Sequence, residues 1–315
     1  MNKNETPHYQ NGKGCLILGF ASVIWGLAFV VQTDAAKSIP PLTFNCLRSL
    51  IASLFLLVLL LVRRARKGTP VLPRAKKSRR TLLLAGGICG FLLSLTVNLQ
   101  QLGLALYPDG VAAAARGGFL TALYVIFVPL LAVLFGKRIS LPVLLAVPLA
   151  AGGIYLLCLS KGFSHIYLGD VMLLLCALGF SMHILVIDRV RDSVDSMALS
   201  MLQFLVCGIL SGAVALFTED FALSALTRVL PALLYMGVLS SGVAYTLQIV
   251  GQKYAEPTLA SIVMSLESVF AALGGWIFLG DSLTLRELIG CTLVFLAILL
   301  AQLRLKRRRS PEKKF

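Results

Sequence analysis

The sequence predicts an all-α membrane protein of about ten transmembrane helices, arranged in two inverted five-helix repeats. Hydrophobic residues make up 58% of its 315 residues and charged residues 14%, and the mean hydropathy is +0.88. Soluble domains are typically about 45–50% apolar and about 25% charged. The prediction also depends on the length of the apolar runs and on the placement of the basic residues.

Ten apolar runs recur along the chain, each close to the roughly 20 residues that a helix needs to cross a bilayer. They cover residues 14–32, 42–62, 81–104, 111–135, 141–159, 169–188, 197–217, 229–250, 258–279 and 285–303. The first run follows Lys3 and Lys13, as the core of a secretory signal would. It is long for a signal core, however, and the segment "QTDAAKS" after it is a poor cleavage site. We therefore expect a polytopic membrane protein with no separate soluble domain.

Lys and Arg residues lie mainly in alternate loops. If the N-terminus is cytoplasmic, 23 of the 29 fall in cytoplasmic segments and only four fall on the opposite side. The largest groups lie between Arg63 and Arg80 and from Arg304 to Lys314. This bias follows the positive-inside rule, so both termini are expected in the cytoplasm and the protein in the plasma membrane. The net charge of +15 is therefore a topology signal, and no nucleic-acid partner is expected.

Two similar segments follow the fourth and the ninth runs. "GKRISL" at 136–141 and "GDSLTL" at 280–285 both lead into an apolar run, but Lys137 and Arg138 in the first correspond to Asp281 in the second. Five crossings per repeat insert the second copy upside down, so only the first segment lies inside, where basic residues are favoured. The expected organisation is a cytoplasmic tail at 1–13, repeats at 14–159 and 168–303, and a basic cytoplasmic tail at 304–315.

Five stretches taken in order carry a family resemblance. They are "SVIWGLAFV" (22–30), "PPLTFNCLRSLIASLFLL" (40–57), "GGFLTALYVIFVPLLAVL" (117–134), "LGDVMLLLCALGFSMHILVIDR" (168–189) and "SLESVFAALGGWIFLGDSLTL" (265–285). Together they resemble the EamA family of the drug/metabolite transporter superfamily. The resemblance implies a ten-helix transporter whose central cavity is lined mainly by helices 1, 3, 4, 6, 8 and 9. This chain has Glu267-Ser268 where the family usually has Glu-Pro, so the kink of a proline is expected to be missing.

Polar residues form stripes on several of the apolar helices. On helix 8 they are Ser241, Tyr245, Gln248 and Gln252, at spacings that share one face of an α-helix. Helix 3 carries Ser94, Asn98 and Gln101 in a similar pattern, and helix 1 carries Ser22, Trp25, Phe29 and Gln32. The alternative is hydrogen bonding between helices, but stripes on both members of a repeat pair favour cavity lining.

Three strongly charged residues lie within the runs and away from their ends: Arg48, Arg116 and Glu267. Arg48 is expected to extend towards the outer interface or to tie helix 2 to a neighbour at least as readily as to contact substrate. Arg116, about 9 Å along the fourth run, is expected to bind an anionic substrate group. Glu267 lies near the midplane and is expected to sense a substrate cation or a proton. The rival interpretation is an ion pair between Arg116 and Glu267 that holds helices 4 and 9 together.

The full set of candidate substrate-binding residues is Trp25, Gln32, Asn98, Gln101, Arg116, Tyr124, His183, Tyr245, Gln248 and Glu267. A lone histidine such as His183 among apolar neighbours is more often a structural hydrogen-bonding group than a titrating one. The seven cysteines lie singly in predicted helices and show no metal-ligand spacing, so neither a metal nor a cofactor is expected.

The expected function is secondary export of a small metabolite or drug-like solute by alternating access. No P-loop is present, which argues against ATP drive within this chain. The alternatives are an intramembrane enzyme or a lipid-linked sugar flippase of the same architecture, and no H-E-x-x-H or G-x-S-x-G motif supports the enzyme. The expected partners are a small solute and the lipid bilayer; proton coupling is a hypothesis, and no oligomer is required.

Overall fold

The structure is a computed structural model, and it describes residues 11–133, 141–159, 166–190, 193–220, 226–254 and 263–301. Within these ranges the chain forms ten helices and no strand. Their bounds are α1 Asn11–Ala35, α2 Pro41–Lys67, α3 Lys76–Ala105, α4 Ala113–Ala122 with Tyr124–Ala132, α5 Leu141–Ile154 with Tyr155–Leu159, α6 Leu168–Val190, α7 Ser196–Thr218, α8 Leu226–Leu234 with Tyr235–Ala244 and Tyr245–Tyr254, α9 Glu267–Gly274 with Gly275–Leu279, and α10 Leu285–Ala301. The second parts of α5, α8 and α9 are π-helical.

Seven of these helices are long and apolar enough to cross a membrane. They are α1, α2, α3, α4, α6, α7 and α8. The apolar parts of α5 and α9 are shorter, at Leu144–Leu157 and Glu267–Leu279. Leu16, Phe217 and Trp276 are among the many large apolar side chains exposed on the outside of the bundle, as lipid contact requires. The predicted all-helical membrane protein with ten helices is confirmed, whereas the inversion of its repeats stays a prediction.

Several helix ends follow directly from the local sequence. Pro41 begins α2, where the missing N–H of a proline costs no hydrogen bond. Gly68 ends the same helix at φ 66°, and its N–H donates to the Arg64 carbonyl over 2.8 Å. Asp195 caps α7, because its side chain accepts a hydrogen bond of 2.9 Å from the Ala198 N–H.

The helices pack in a pattern that is symmetric between the two halves of the chain. The principal contacts are α2 with α7, α4 with α9, α5 with α10, α3 with α6, α1 with α8, α3 with α7, α2 with α8, α1 with α9 and α4 with α6. This set is unchanged when α1–α5 are exchanged for α6–α10 in order. An internal repeat of either orientation predicts such an exchange, so the packing supports the repeat, while its inversion stays a prediction.

Glycines bring some of these helices into backbone contact. A Cβ atom at Gly153 of α5 would lie 2.8 Å from the Gly290 carbonyl oxygen of α10. The neighbouring Gly152 has open space around the same position. The sequence offers four adjacent glycine pairs for close packing, at 86–87, 117–118, 152–153 and 274–275. In each pair an added Cβ atom on at least one member would lie less than 3 Å from an atom of another helix, which is a side-chain atom at 86–87, 117–118 and 274–275.

Candidate functional site

A buried polar cluster forms where α1, α2 and α3 cross. Arg48 Nη1 donates a long hydrogen bond of 3.4 Å to Gln32 Oε1. Gln101 Nε2 donates to the Gln32 backbone carbonyl over 2.9 Å, while Gln101 Oε1 is buried without a hydrogen-bond partner. Gln32 and Gln101 were both predicted to line the site, and the structure brings them together around Arg48.

Of the alternatives that the sequence left open for Arg48, extension towards the outer interface does not fit, because the residue is only 5% exposed, whereas its hydrogen bond to Gln32 ties α2 to α1. The physical reason is that α2 packs against both α7 and α8, which turns this face of the helix inward. Cys176 of α6, Cys207 of α7 and Tyr245 of α8 all lie within electrostatic range of the guanidinium. Arg48 therefore lies at the centre of the bundle.

Aromatic rings lie next to this cluster. The rings of Trp25 and Tyr245 pack edge to face with their centroids 5.3 Å apart, and Phe204 contacts Tyr245 in the same way at 5.3 Å. Trp25 Nε1 donates to the Ser240 carbonyl of α8 over 3.2 Å. Trp25 and Tyr245 were both predicted to line the site, and these contacts join α1, α7 and α8.

Interruptions in α4 and α9 meet at the other side of the centre. Tyr124 follows the break in α4 at Leu123, and Glu267 follows a turn at residues 265–266. The Tyr124 hydroxyl donates to Glu267 Oε1 over 3.1 Å. Glu267 is 6% exposed and begins a helical segment, where the helix dipole favours a carboxylate.

The interruption in α9 corrects the expectation that a kink would be missing. Although Ser268 replaces a proline, its hydroxyl donates to the Ser265 carbonyl over 2.8 Å. The Ser268 N–H also bonds to that carbonyl, three residues back instead of four, at 3.3 Å. A serine that bonds to the preceding turn competes with the regular helix, and it therefore provides the break without a proline.

Arg116 belongs to a separate ionic network that joins α4, α6 and α10. Its Nη1 donates to both carboxylate oxygens of Asp170 at 3.2 Å, and its Nη2 donates to Glu287 Oε1 at 2.9 Å. Tyr107 donates its hydroxyl to Asp170 over 2.6 Å, and the guanidinium carbon lies 5.3 Å from the Tyr167 ring centroid. The arginine is thus neutralised by two carboxylates and packed against aromatic rings.

This network contradicts the rival interpretation that Arg116 pairs with Glu267. The ion pairs of Arg116 are with Asp170 and Glu287, while the hydrogen bond of Glu267 comes from Tyr124. Asp170 and Glu287 each lie in the first turn of a helix. A charge so near the end of an apolar run is common at the membrane surface, so nothing in the sequence marked these two as partners of Arg116. An anion bound by Arg116 would have to displace one of these carboxylates.

Asn98 lies in a hydrogen-bonded cluster between α2, α3 and α7. Its Nδ2 donates to Ser211 Oγ over 2.9 Å and its Oδ1 accepts from Asn45 Nδ2 over 2.8 Å. Ser94 and Ser211 lie 3.2 Å apart in the same cluster. Both ends of the Asn98 amide are therefore engaged by protein groups in this conformation.

The remaining candidates lie on α6 and α8. His183 is buried, with its Nε2 atom 3.0 Å from Gln203 Oε1, which is the structural role considered more frequent for such a histidine. Gln248 is half-buried on α8, and the side chain of Gln252 lies outside the described residues. Because Tyr235–Ala244 is π-helical, the regular spacing that predicted the stripe does not extend back from Tyr245 to Ser241.

Side chains from α1, α2, α3, α4, α7, α8 and α9 thus place Arg48, Glu267 and several aromatic and amide groups inside an apolar bundle. Of the described residues, none forms a group of His, Cys, Asp and Glu that could hold a metal ion. Ionisable groups within a membrane-spanning bundle mark solute or ion pathways. The arrangement is therefore suited to binding a small polar solute in passage.

Comparisons with known proteins agree with this architecture. The EamA-like transporter family matches the chain twice, over residues 12–159 and 167–303. An uncharacterized transporter from Archaeoglobus fulgidus is 31% identical over 91% of this chain and 85% of its own length. The uncharacterized transporter YvbV from Bacillus subtilis is 24% identical, with 94% of this chain and 93% of its own length covered.

A protein of known crystal structure superposes on the fold with a TM-score of 0.64, covering 93% of this chain and 97% of its own. At 18% identity this likeness shows the fold alone. The family matches extend over nearly every described helix, and the ten-helix bundle with ionisable groups at its centre fits a membrane transporter. The chain therefore belongs to the EamA-like transporter family.

Proposed function

We propose that this protein is a secondary transporter that exports a small metabolite or drug-like solute by alternating access, without ATP. The observation that carries the proposal is the pair of opposite charges Arg48 and Glu267, both buried inside the bundle. Among the described residues, neither forms an ion pair within 4.0 Å. Such charges are costly in hydrocarbon. A solute that passes between them would supply the opposite charges that the described residues do not provide.

The groups between these charges indicate the kind of solute. Tyr245 lies within electrostatic range of both Arg48 and Glu267, and it packs against Trp25. Apolar walls with a few convergent polar groups are typical of sites for small amphipathic molecules. We propose that the two charges orient the solute and that the aromatic rings contact its apolar part.

Alternating access requires that the two ends of the bundle open in turn. The Arg116 network ties α4, α6 and α10 at the end where these helices begin. Arg63 and Asp195 form an ion pair of 2.8 Å where α2 ends and α7 begins. We propose that the first tie closes the outer face, that the second contributes to closing the inner face, and that the breaks in α4 and α9 allow the helices to rock.

Counterflow in proteoliposomes tests the transport proposal. Vesicles loaded with an unlabelled solute and diluted into a trace of the labelled form should accumulate label by exchange. The panel should contain carboxylates, amines, zwitterions and neutral solutes at equal concentration. Protein with Trp276→Phe, a change at an exposed position of α9, provides the matched control for Glu267→Gln.

Three outcomes would contradict the proposal. Chemical conversion of the solute would indicate an intramembrane enzyme. Flux that does not saturate would indicate a channel. Movement of labelled lipid-linked sugar without exchange of any soluble compound would indicate the flippase.

The hypothesis of proton coupling concerns Glu267. An imposed pH gradient should drive net uptake into vesicles containing the parent protein, whereas Glu267→Gln should retain counterflow and lose the pH-driven component. A pH-driven component that survives this substitution would exclude Glu267 as the proton carrier. Inside-out membrane vesicles energised by respiration would then report direction, since an exporter accumulates its solute in them.

The topology that export requires is testable separately. Single cysteines at Lys137 and Asp281, in a background without native cysteines, should react with an impermeant maleimide from opposite sides of the membrane. Residue 137 lies outside the described residues, so this prediction depends on the sequence alone. Labelling from the same side would refute the inverted repeat and with it the proposed mechanism.

The polar stripes provide a further test of the site. Alanine at Asn98, Gln101, Tyr245 or Gln248 should reduce transport per molecule while protein abundance stays near that of the parent. Loss of abundance with normal transport per molecule would assign these residues to helix packing instead.

A further inference from the structure

The guanidinium of Arg48 has fewer protein partners than its chemistry requires. It is always charged and carries five N–H donors, yet among the described residues it has one long hydrogen bond, to Gln32 Oε1. The titratable side chains within electrostatic range of it are Cys176, Cys207 and Tyr245, and none of these is a carboxylate. A buried charge without a counterion is strongly destabilising, so this position favours the presence of an anion.

Unlike Arg48, two other arginines form ion pairs with described residues, and they provide an internal comparison. Arg63 lies 2.8 Å from Asp195, and Arg116 lies within 3.2 Å of both Asp170 and Glu287. Arg48 is buried as deeply as Arg116 but has a neutral carboxamide, that of Gln32, in the position where Arg116 has carboxylates. The fold therefore satisfies the charge of Arg116 internally and leaves most donors of Arg48 available.

We propose that Arg48 and Gln32 bind one small monoanionic group, either the carboxylate of the transported solute or a free halide. A single guanidinium balances a single negative charge, and its planar donors match a carboxylate through two parallel hydrogen bonds. The surrounding thiol and aromatic groups add no second cation for a phosphate or sulfate dianion. The carboxylate form of this inference rests on the proposed transport function and narrows its substrate to a compound with one carboxylate.

Two substitutions separate binding from folding. Arg48→Gln removes the cation and should weaken the apparent affinity for the anion about 10- to 100-fold. Gln32→Glu places a carboxylate beside the Arg48 guanidinium, so it should occupy the site from within, raise thermal stability and abolish anion binding. Because this second change is expected to stabilise the protein, a loss of binding in it is not explained by unfolding.

The probes are sodium acetate, sodium chloride and sodium sulfate at equal ionic strength, added to detergent-purified protein. The readout is the unfolding temperature at each concentration, compared between the parent and both variants so that general salt effects cancel. A second readout uses Trp25 as the sole tryptophan, after Trp276→Phe, because its ring contacts Tyr245 beside the arginine.

We expect acetate to raise the unfolding temperature of the parent saturably, with no saturable rise in Arg48→Gln or Gln32→Glu. If acetate raises the unfolding temperature, and chloride neither raises it nor displaces acetate, the anion that the site binds is the carboxylate of the substrate. Displacement of acetate by chloride with equal or higher affinity identifies a halide site. An equal response to sulfate, or responses that do not depend on Arg48, would overturn the proposal.

This assay is independent of transport. A protein that exchanges solutes but shows no Arg48-dependent anion binding refutes this inference and leaves the proposed function intact. A protein that binds an anion through Arg48 but exchanges no solute in proteoliposomes supports this inference and refutes the proposed transport function.

Discussion

The ionic network of Arg116 allows a quantitative test of which charges are coupled. Its guanidinium and the Asp170 carboxylate are 7% and 2% exposed, respectively, and they make two contacts of 3.2 Å. Arg116→Gln leaves two carboxylates near one another without a cation, which should cost about 3–5 kcal/mol of unfolding free energy. Asp170→Asn leaves the arginine with Glu287 as its counterion, and it should therefore cost less, about 1–3 kcal/mol.

The double variant Arg116→Gln with Asp170→Asn removes the cation together with its most buried partner. Its cost should be smaller than the sum of the two single costs, with a coupling energy of about 1–3 kcal/mol. The matched control is Arg116→Gln with Glu267→Gln. Arg116 and Glu267 share no hydrogen-bond partner among the described residues, so their costs should add within about 0.5 kcal/mol.

Unfolding in mixed micelles of increasing SDS content, followed by ellipticity at the helix band, measures these free energies. Reactivity of the buried free cysteines, such as Cys89 and Cys291, offers a second probe of the same transition. A coupling below about 0.5 kcal/mol between Arg116 and Asp170 would refute the network as a stabilising unit. A coupling above about 1 kcal/mol between Arg116 and Glu267 would restore the direct pairing that the structure contradicts.

Two further predictions concern helix contacts and pH. Gly153→Ala should destabilise the bundle by about 1–3 kcal/mol, because the added methyl group meets backbone atoms at 2.8 Å. Gly152→Ala is the control and should be near neutral, because open space surrounds that position. Equal effects of the two substitutions on SDS unfolding would contradict this prediction. At Asp195, partial burial raises the pKa, but the hydrogen bonds from Arg63 and the helix N-terminus outweigh it and hold the pKa below its usual range. Its contribution, about 1 kcal/mol for the cap and less for the half-exposed ion pair, should be fully present above about pH 5 and disappear as pH falls below about 4. The measurement is the stability difference between the parent and Asp195→Ala across this range, and a difference that grows as pH falls would reverse the assigned sign.

The sequence predicts the helices well because each depends on a local property. Apolar length sets their number, and residues such as Pro41 and Gly68 set their ends. The interruptions are harder to predict, since they depend on single hydrogen bonds. The break before Glu267 is maintained by the hydrogen bond that the Ser268 hydroxyl donates to the Ser265 carbonyl. The sequence does not reveal it, because serine has no strong preference for breaking a helix.

The sequence singled out residues of the candidate site, and their role in binding a solute stays a prediction. Gln101 donates to the Gln32 carbonyl, which is the hydrogen bonding between helices that was the alternative to cavity lining, and Tyr124 donates to Glu267. The sequence could not assign the partners, because a polar stripe shows that a face avoids lipid but not which atoms it contacts. Asn98 shows the consequence, since its amide is engaged by protein groups and not directed at an open path in this conformation.

The two arginines differ in depth, and depth explains why only one is compensated. The even-numbered helices begin at the same end of the bundle, and at about 1.5 Å per residue Arg116 lies only about 5 Å from the start of α4. Asp170 and Glu287 lie about 3 Å from the starts of α6 and α10, so the three charges share a level and meet where these helices pack together. Measured from the same face of the bundle, Arg48 lies at a depth of about 10 Å along α2. Glu267 lies at a depth of about 18 Å, counted back from the end of α9, so the two charges are at different depths. In this fold the charges at equal depth meet as ion pairs, whereas Arg48 and Glu267 form no ion pair with a described residue. We therefore propose that the search for the substrate begin at Arg48.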